Sequence, residues 1–370
     1  MHRKIVFHII SHLDVGGAER VAINIAESPT EGIAYHVVEL IRAHSDFTDV
    51  LIKELRDHNI TYHRGWIPEI HFHYLFERLA ALTFPLWFLW LFLKYKPQVL
   101  HSHTEMPDLS IYCFFRLFPW ALKRCKIVRT IHNTRLWTGM QRTGQRIEAF
   151  FIRQNANIAI SEAVKSNYQE HYHDSPPIIY NGVAPVKQQP YSQLKAGKIN
   201  ILFAGRFEEQ KGIDTLIEII KSQKDSAIYH FHVIGGGSLA SLLTAELAGF
   251  THVSIREPLF NLASFLASFD FLLMPSRHEG LSILALEANF NGLPAIINAC
   301  PGLHETLPND WPLRVEHNDL NTYMHLFNDV LPVINRHEIQ SIARQFAEKH
   351  FSMCSMREGY ERLYAQAFKA

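Results

Sequence analysis

Pro275-Ser276-Arg277-His278-Glu279-Gly280-Leu281-Ser282-Ile283-Leu284-Ala285-Leu286-Glu287-Ala288 follows directly on the apolar run Phe269-Asp270-Phe271-Leu272-Leu273-Met274. Together they read as strand, loop and helix. The apolar run has the length of a buried strand, and Pro275 ends it because proline has no N–H to give a ladder. Ser276 to Gly280 is polar and turn-rich, and good helix formers follow from Leu281. Glu279 is therefore expected in the loop and Glu287 two turns into the helix. At ~100° per residue, the eight steps between them turn about 80° beyond two full circles. Such acids are not a proton-sharing pair; they suit separate contacts along one extended ligand. The helix N-terminus between them offers unpaired N–H groups and a positive dipole end to a phosphate.

The same alternation extends outward on both sides. Ile199 to Gly205 reads as a strand, Arg206 to Lys211 as a basic loop, and a helix follows Gly212. Tyr229 to Ile234 is a strand entering the glycine turn Gly235-Gly236-Gly237, and Val253 to Arg256 is another, with Arg256 at its exit. A dinucleotide site is not indicated, because the full G-x-G-x-x-G and its distal acid are missing. Towards the N-terminus, Ile5 to Ile10 reads as a first buried strand. Gly16-Gly17 turns it into an amphipathic helix through Val21, Ile23 and Ile25, and glycines at such a turn let backbone approach a ligand closely. Strands are also expected at 35–41, 60–64, 99–101, 126–132 and 157–160, with Ser161 capping the next helix. Ala184 to Lys198, rich in Pro, Gln and Lys, reads as an interdomain linker. The Asn181-Gly182 pair before it suggests a hinge with positive φ.

The 370 residues suffice for two domains. With 47% hydrophobic residues and 36 basic against 36 acidic side chains, the chain is globular. Its zero net charge argues against nucleic acid as a partner. Cys113, Cys125, Cys300 and Cys354 lie far apart without metal spacing and read as reduced thiols in a cytoplasmic protein. No signal peptide is expected, since Lys4 to Ile10 is too short for a hydrophobic leader core.

Two stretches bear on partners. Ile70 to Tyr95 is aromatic-rich, with Phe72, Tyr74, Phe76, Phe84, Trp87, Phe88, Trp90 and Phe92. It reads first as a helix largely buried against a sheet. A second reading is an interfacial surface on a membrane, since its tryptophans and Lys94 and Lys96 suit that boundary. From Arg116 to Arg153 nine Lys and Arg face a single acid, Glu148, a solvated face or a surface for an anionic acceptor. His101 and His103 are metal ligands by type. With no third ligand evident they are expected to be packed and hydrogen-bonded, and no D-x-D occurs to chelate a metal.

The stretch at 275–288, continued by Gly292-Leu293-Pro294-Ala295-Ile296-Ile297 and Gly302, resembles the E-x7-E signature of the family 4 retaining glycosyltransferases. Four other segments are similar to that family's motifs: Gly16-Gly17-Ala18-Glu19-Arg20, Thr130-Ile131-His132-Asn133, Asn181-Gly182-Val183, and Gly205-Arg206 through Lys211-Gly212. The resemblance implies an α/β GT-B fold, two Rossmann-like doubly wound domains facing across a donor-binding cleft. The acceptor-side domain would be 1–183, with a C-terminal helix at 352–370 crossing back, and the nucleotide-sugar domain 184–351. It implies transfer of a hexose-type sugar from a nucleoside diphosphate, most often UDP, to a glycan, glycolipid or lipopolysaccharide-type acceptor, with retention and without metal. Catalytic roles would fall to His132, Glu279, Arg206 and Lys211. Gly16, Gly17, Arg206, Lys211, Gly235, Arg256, Glu279, Gly280, Leu281, Ser282 and Glu287 would bind the donor. Arg206 and Lys211 would hold the diphosphate, Glu279 the sugar hydroxyls and Glu287 the ribose, with His132 beside the sugar. Ser282 stands where glycine is frequent in the family, which bears on the donor sugar, and Asn289-Phe290-Asn291 replaces the usual small residues. A catalytically weak nucleotide-sugar-binding protein and a GT-B epimerase or phosphorylase remain the alternatives.

Overall fold

The computed structural model describes residues 3–14, 16–28, 30–69 and 73–369, with backbone alone at 73–77 and 369. The expected roles of Phe72, Tyr74 and Phe76 lie outside the described side chains. The chain divides into two units, 1–181 with 353–370, and 182–352.

The first unit is built on β1 (Lys4–Ile10), α1 (Gly17–Ala26), β2 (Ile33–Arg42), α2 (Asp46–Asp57), β3 (Thr61–Pro68), α3 (His73–Tyr95), β4 (Val99–His103), α4 (Glu105–Leu117), β5 (Lys126–Ile131), α5 (Gln141–Arg153), β6 (Asn157–Ala159) and α6 (Glu162–Tyr172). Its strands are all parallel, in the order β3-β2-β1-β4-β5-β6. The second unit follows with β7 (Ile199–Arg206), α7 (Ile213–Ser222), β8 (Tyr229–Gly236), α8 (Ala240–Glu246), β9 (Val253–Arg256), β10 (Phe271–Met274), α9 (Ile283–Phe290), β11 (Ala295–Asn298), β12 (Arg314–Val315), α10 (Leu320–His325) and α11 (Arg336–His350). Its order is β12-β11-β10-β7-β8-β9, again parallel. Each sheet thus has the doubly wound order that reverses beside its first strand, where the carboxyl ends of neighbouring strands open a crevice. Buried on both faces, the central strands read as near-continuous apolar runs, as in Ile201–Leu202–Phe203 and Leu272–Leu273.

The last helix, α12 (Met353–Lys369), packs on the first unit. Tyr364 and Tyr360 are fully buried there. The Tyr364 hydroxyl meets His101 Nδ1 at 2.6 Å and the Tyr360 hydroxyl meets Thr130 Oγ1 at 2.8 Å. Arg357 Nε donates to the Asn24 carbonyl at 2.7 Å.

Several expectations are corrected. Neither Asn181 nor Gly182 takes a positive φ; the chain there is held extended by Val183 N–H donating to the Phe351 carbonyl at 2.9 Å. Asn291 is a tie as well as a helix terminus, since its Oδ1 accepts from Val186 N and Gln188 Nε2 of the linker at 3.1 and 2.8 Å. The basic run is not uniformly a surface. Arg129 is 1% exposed, with Nε on Asp108 Oδ2 at 2.7 Å and both terminal nitrogens on the Glu148 carboxylate at 2.5 and 2.7 Å. Burial would raise Glu148, but Arg129, Trp137 and Tyr168 together hold it below the usual range. Finally, α3 is not buried all round. Phe84, Trp87, Phe88, Leu91 and Phe92 enter the core, while Leu79, Leu82, Leu86, Trp90 and Leu93 are exposed.

Candidate functional site

In the second unit the carboxyl ends of the parallel strands carry most of the expected residues. Arg206 ends β7 and is exposed, Gly235 and Gly236 end β8, Arg256 ends β9 and is exposed, and Pro275 to Ser282 leave β10. Gly205 pairs with Gly235 and Arg206 with Gly236 in register. Gly235 is buried in the ladder: a Cβ there would lie 1.9 Å from the Gly205 carbonyl oxygen. Its visible work is the close approach of β8 to β7.

The loop after β7 and the loop after β10 are locked together. Arg277 N–H donates to the Gln210 carbonyl at 2.8 Å, and Gln210 Nε2 returns a bond to the His278 carbonyl at 3.0 Å. Between them Gly212, at φ +68°, lies so close that a Cβ would stand 2.0 Å from the Pro275 carbonyl oxygen. Asn298 Nδ2 and Asn318 Nδ2 hold the Ser276 and Pro275 carbonyls, each at 2.9 Å. Gly302, at φ +75°, backs onto the Glu279 carbonyl oxygen, and Glu279 N–H donates to the Pro301 carbonyl at 3.0 Å.

These constraints bring Lys211 Nζ to 2.7 Å from Glu279 Oε1, with both side chains mostly buried. Glu279, 7% exposed, is the one acid of the loop Pro275 to Ser282. Leu281 is buried beside it. Ser282 caps α9, its Oγ accepting from Ala285 N–H at 3.4 Å; the helix therefore begins at Ile283, two residues after the expected start. Glu287 is half-buried on α9. A fixed ammonium, an exposed guanidinium and a helix N-terminus thus lie at one sheet edge, groups of the kind that favour an anion.

In the first unit Gly16 is the N-cap of α1 with an extended backbone, and Gly17 opens the helix. A Cβ on Gly16 would meet the Glu19 carboxylate, which folds back over the turn. Arg20 is held by Glu54 through two bonds at 2.6 and 2.7 Å and by Asn24 at 2.9 Å, and so positions α1 on α2. His132 follows β5 and is half-buried. Its Nε2 lies 3.2 Å from His103 Nδ1, and His103 Nε2 lies 3.1 Å from His8 Nδ1. A third histidine is thus present beside His101 and His103, contrary to expectation: candidate ligand nitrogens of His8, His101 and His103 lie within 4.8 Å of one another. Hydrogen bonds already occupy both nitrogens of His101, to Tyr364 and Thr130. Burial pushes His8 and His132 down to about 3 and His101 and His103 well below 6.5, so the whole string is neutral at pH 7.

Two family models match the chain in tandem, "Glycosyltransferase Family 4" over residues 15–187 and "Glycosyl transferases group 1" over residues 198–328. A Klebsiella pneumoniae "Uncharacterized 41.2 kDa protein in cps region" is 26% identical over 301 residues, 74% of this chain and 80% of that protein. An uncharacterized glycosyltransferase of Methanocaldococcus jannaschii is 30% identical over 219 residues, 56% of this chain and 59% of its own length. Among solved structures, Anabaena HepE in complex with UDP and glucose superposes with a TM-score of 0.76 at 17% identity, covering 98% of this chain and 100% of that one. The chain is a glycosyltransferase with the GT-B fold.

Some features of the glycosyltransferase's site escape sequence reasoning. Thr104, the N-cap of α4, takes φ +77°, an outlier for a β-branched residue, and its Oγ1 lies 2.9 Å from Ser11 Oγ of the loop before Gly16. A single sequence carries no signal for that strain. His8 carries none either, since it reads simply as one more strand residue. Asn298 and Asn318, which hold the loop after β10, carry only the weak signal of a polar residue at a strand end.

Proposed function

We propose that this glycosyltransferase moves a hexose from a UDP-sugar to a hydroxyl of a glycan or lipid-linked glycan, with retention of anomeric configuration. The observation that carries the reading is the Lys211–Glu279 pair at the carboxyl edge of the second sheet, with Arg206 on the same edge. In the reaction the bond from the sugar's anomeric carbon to the β-phosphate oxygen breaks and the acceptor oxygen bonds to that carbon from the same face. The acceptor's proton passes to the departing diphosphate. Arg206 and Lys211 stabilise the charge that develops on the diphosphate, and the α9 N-terminus adds its dipole. Glu279, oriented by Lys211 and by the backbone bond to Pro301, takes hydroxyls of the sugar, and Glu287 takes the ribose. His132 is the candidate catalytic group on the first unit, held neutral and in one tautomer by His103.

The fixed Lys211, the exposed Arg206 at the end of β7 and the lack of any D-x-D support a reaction without divalent metal. UDP is favoured as the nucleotide because Anabaena HepE is solved with UDP and glucose. An acceptor of the surface-glycan type fits a relative in a cps region and the basic first unit. We place the enzyme at the cytoplasmic face of a membrane, where a lipid-linked acceptor is carried.

The test is a panel of UDP- and GDP-sugars with release of nucleoside diphosphate as readout, followed by NMR of the product's anomeric centre. Release from a UDP-hexose, lowered about 100-fold or more by Lys211→Ala, and an anomer matching the donor's are expected. No release from any donor, or an inverted anomer, would overturn the reading.

A further inference from the structure

Five large apolar side chains of α3, at 79, 82, 86, 90 and 93, recur at steps of three and four and form one line along the helix. All five are exposed, Leu82 and Leu86 at 62% and Trp90 at 61%. The opposite face is packed by Phe84, Phe88 and Phe92, so the stripe is a second apolar face that the fold does not use. By helix geometry it runs about 21 Å. It also widens sideways. Trp66 of β3, 64% exposed, lines a cavity of about 370 Å³ with Leu86 and Trp90. On the α4 side, Trp120 packs its ring 5.9 Å from Phe92, and Leu117 is exposed beside it in sequence. A contiguous apolar surface of this kind on a soluble unit marks an interaction site.

Along the chain from residue 78 to 153 the fully exposed charge has one sign. Between residues 78 and 153 every lysine and arginine except Arg129 is exposed. None of the acids in that span is: Asp108 and Glu148 are buried around Arg129, and Glu105 is half-buried. Cations sit on the exposed tryptophans themselves, Lys94 Nζ 4.6 Å from the Trp90 ring and the Arg124 guanidinium 5.4 Å from the Trp120 ring. At the other end of the stripe Arg78 and Arg142 line a cavity of about 680 Å³. Among the described residues no helix is long and apolar enough to cross a membrane.

We propose that this face, the α3 stripe with Trp66, Leu117 and Trp120, docks in the plane of an anionic phospholipid bilayer. Leucines enter the acyl boundary, tryptophans sit at headgroup depth, and the surrounding cations meet lipid phosphate. A second copy of the chain is the poorer occupant, because a symmetric contact would set these cations against each other. A protein partner would need an acidic rim around an apolar centre. The inference extends the proposed membrane location by naming the face and the lipid charge. It is read without any donor, so its failure is separable from failure of the transfer reaction.

The test is co-sedimentation of the full chain with vesicles of equimolar phosphatidylglycerol and phosphatidylcholine, against pure phosphatidylcholine. The wild type is expected to bind the anionic vesicles and to be released by salt. Leu82→Glu with Trp90→Glu is expected to weaken binding about tenfold or more while keeping the melting temperature and UDP affinity. Arg78→Glu with Lys94→Glu, which leaves the apolar stripe intact, is expected to weaken it in the same sense. A wild type that stays in the supernatant would overturn the proposal, as would binding unchanged in both double variants. So would a chain that is dimeric in solution, becomes monomeric in Leu82→Glu/Trp90→Glu, and ignores vesicles.

Discussion

Lys211 Nζ donates to Glu279 Oε1 at 2.7 Å across two loops that leave neighbouring strands of the second sheet. Without ligand, therefore, the ammonium proposed to meet a diphosphate is already neutralised by the carboxylate proposed to meet the sugar. An arriving diphosphate competes with Glu279 for Lys211. Glu279→Gln is expected to remove that competition: UDP alone should bind several-fold more tightly, by about 1 kcal/mol, while transfer from the UDP-sugar falls about 100-fold. Calorimetric titration with UDP and steady-state turnover check the two halves separately. A variant that loses UDP affinity would show that Glu279 supports the nucleotide instead.

The close approach of the β7 and β10 loops depends on a residue without a side chain. Gly212→Ala would place a Cβ 2.0 Å from the Pro275 carbonyl at a φ of +68°. Backbone, not a flexible side chain, must move. The second unit is expected to lose about 2–4 kcal/mol, measured by urea unfolding, and donor turnover is expected to fall with it. Gly197→Ala, also at positive φ but with open space around it, is expected to cost only about 1 kcal/mol and to leave turnover unchanged.

Acid should weaken the first unit. Folded His8 and His132 titrate near 3, and His101 and His103 are likewise depressed, while unfolded histidine titrates near 6.5. Between these values the unfolded chain holds more protons, so stability is full above pH 6.5 and is lost as pH falls. His36 and His63, lowered to about 4 by burial, add to the same effect. Asp108, pushed up to about 7 by burial against the pull of Arg129, and Glu27 and Glu105, also raised by burial, act in the opposite sense. Melting between pH 7.5 and 5 is expected to shift down by about 2–4 °C per kcal/mol lost, with up to about 1.4 kcal/mol per pH unit for each histidine. A melting temperature that is flat across this range would contradict neutral, buried histidines.

Arg129 is satisfied from three sides inside the first unit. Arg129→Ala would leave Asp108 and Glu148 buried and unpaired, and about 3–5 kcal/mol of destabilisation is expected. Arg129→Lys, which lacks the planar fork, should rescue little of it. Chemical denaturation of each variant measures the difference.

The alternation of apolar runs with glycine turns made the individual strands legible, because central parallel strands are buried on both faces and must be apolar throughout, while the doubly wound order was implied by the family resemblance. The loops after β7 and β10 were picked out by the family motif, and the structure shows that Gly212 and Gly302 are residue types those tight backbones demand. Side-chain geometry across elements was not. Nothing local tells that His8, ninety-five residues from His103, stands beside it, or that Glu148 and Arg129 leave the basic run for the core. Asn181-Gly182 misled because a turn-forming pair was here drawn into an extended bridge by Phe351. The aromatic run at 84–93 gave its composition but not its division into two faces, since leucines and tryptophans, large and apolar like the phenylalanines, stand on both of them.

The most direct test is calorimetric titration of UDP into the wild-type glycosyltransferase and into Lys211→Ala and Arg206→Ala. One-to-one binding in the wild type, weakened about tenfold or more in each variant, is the expected result. Equal affinity in all three proteins, with the variants fully folded, would contradict a diphosphate held at this edge of the second sheet.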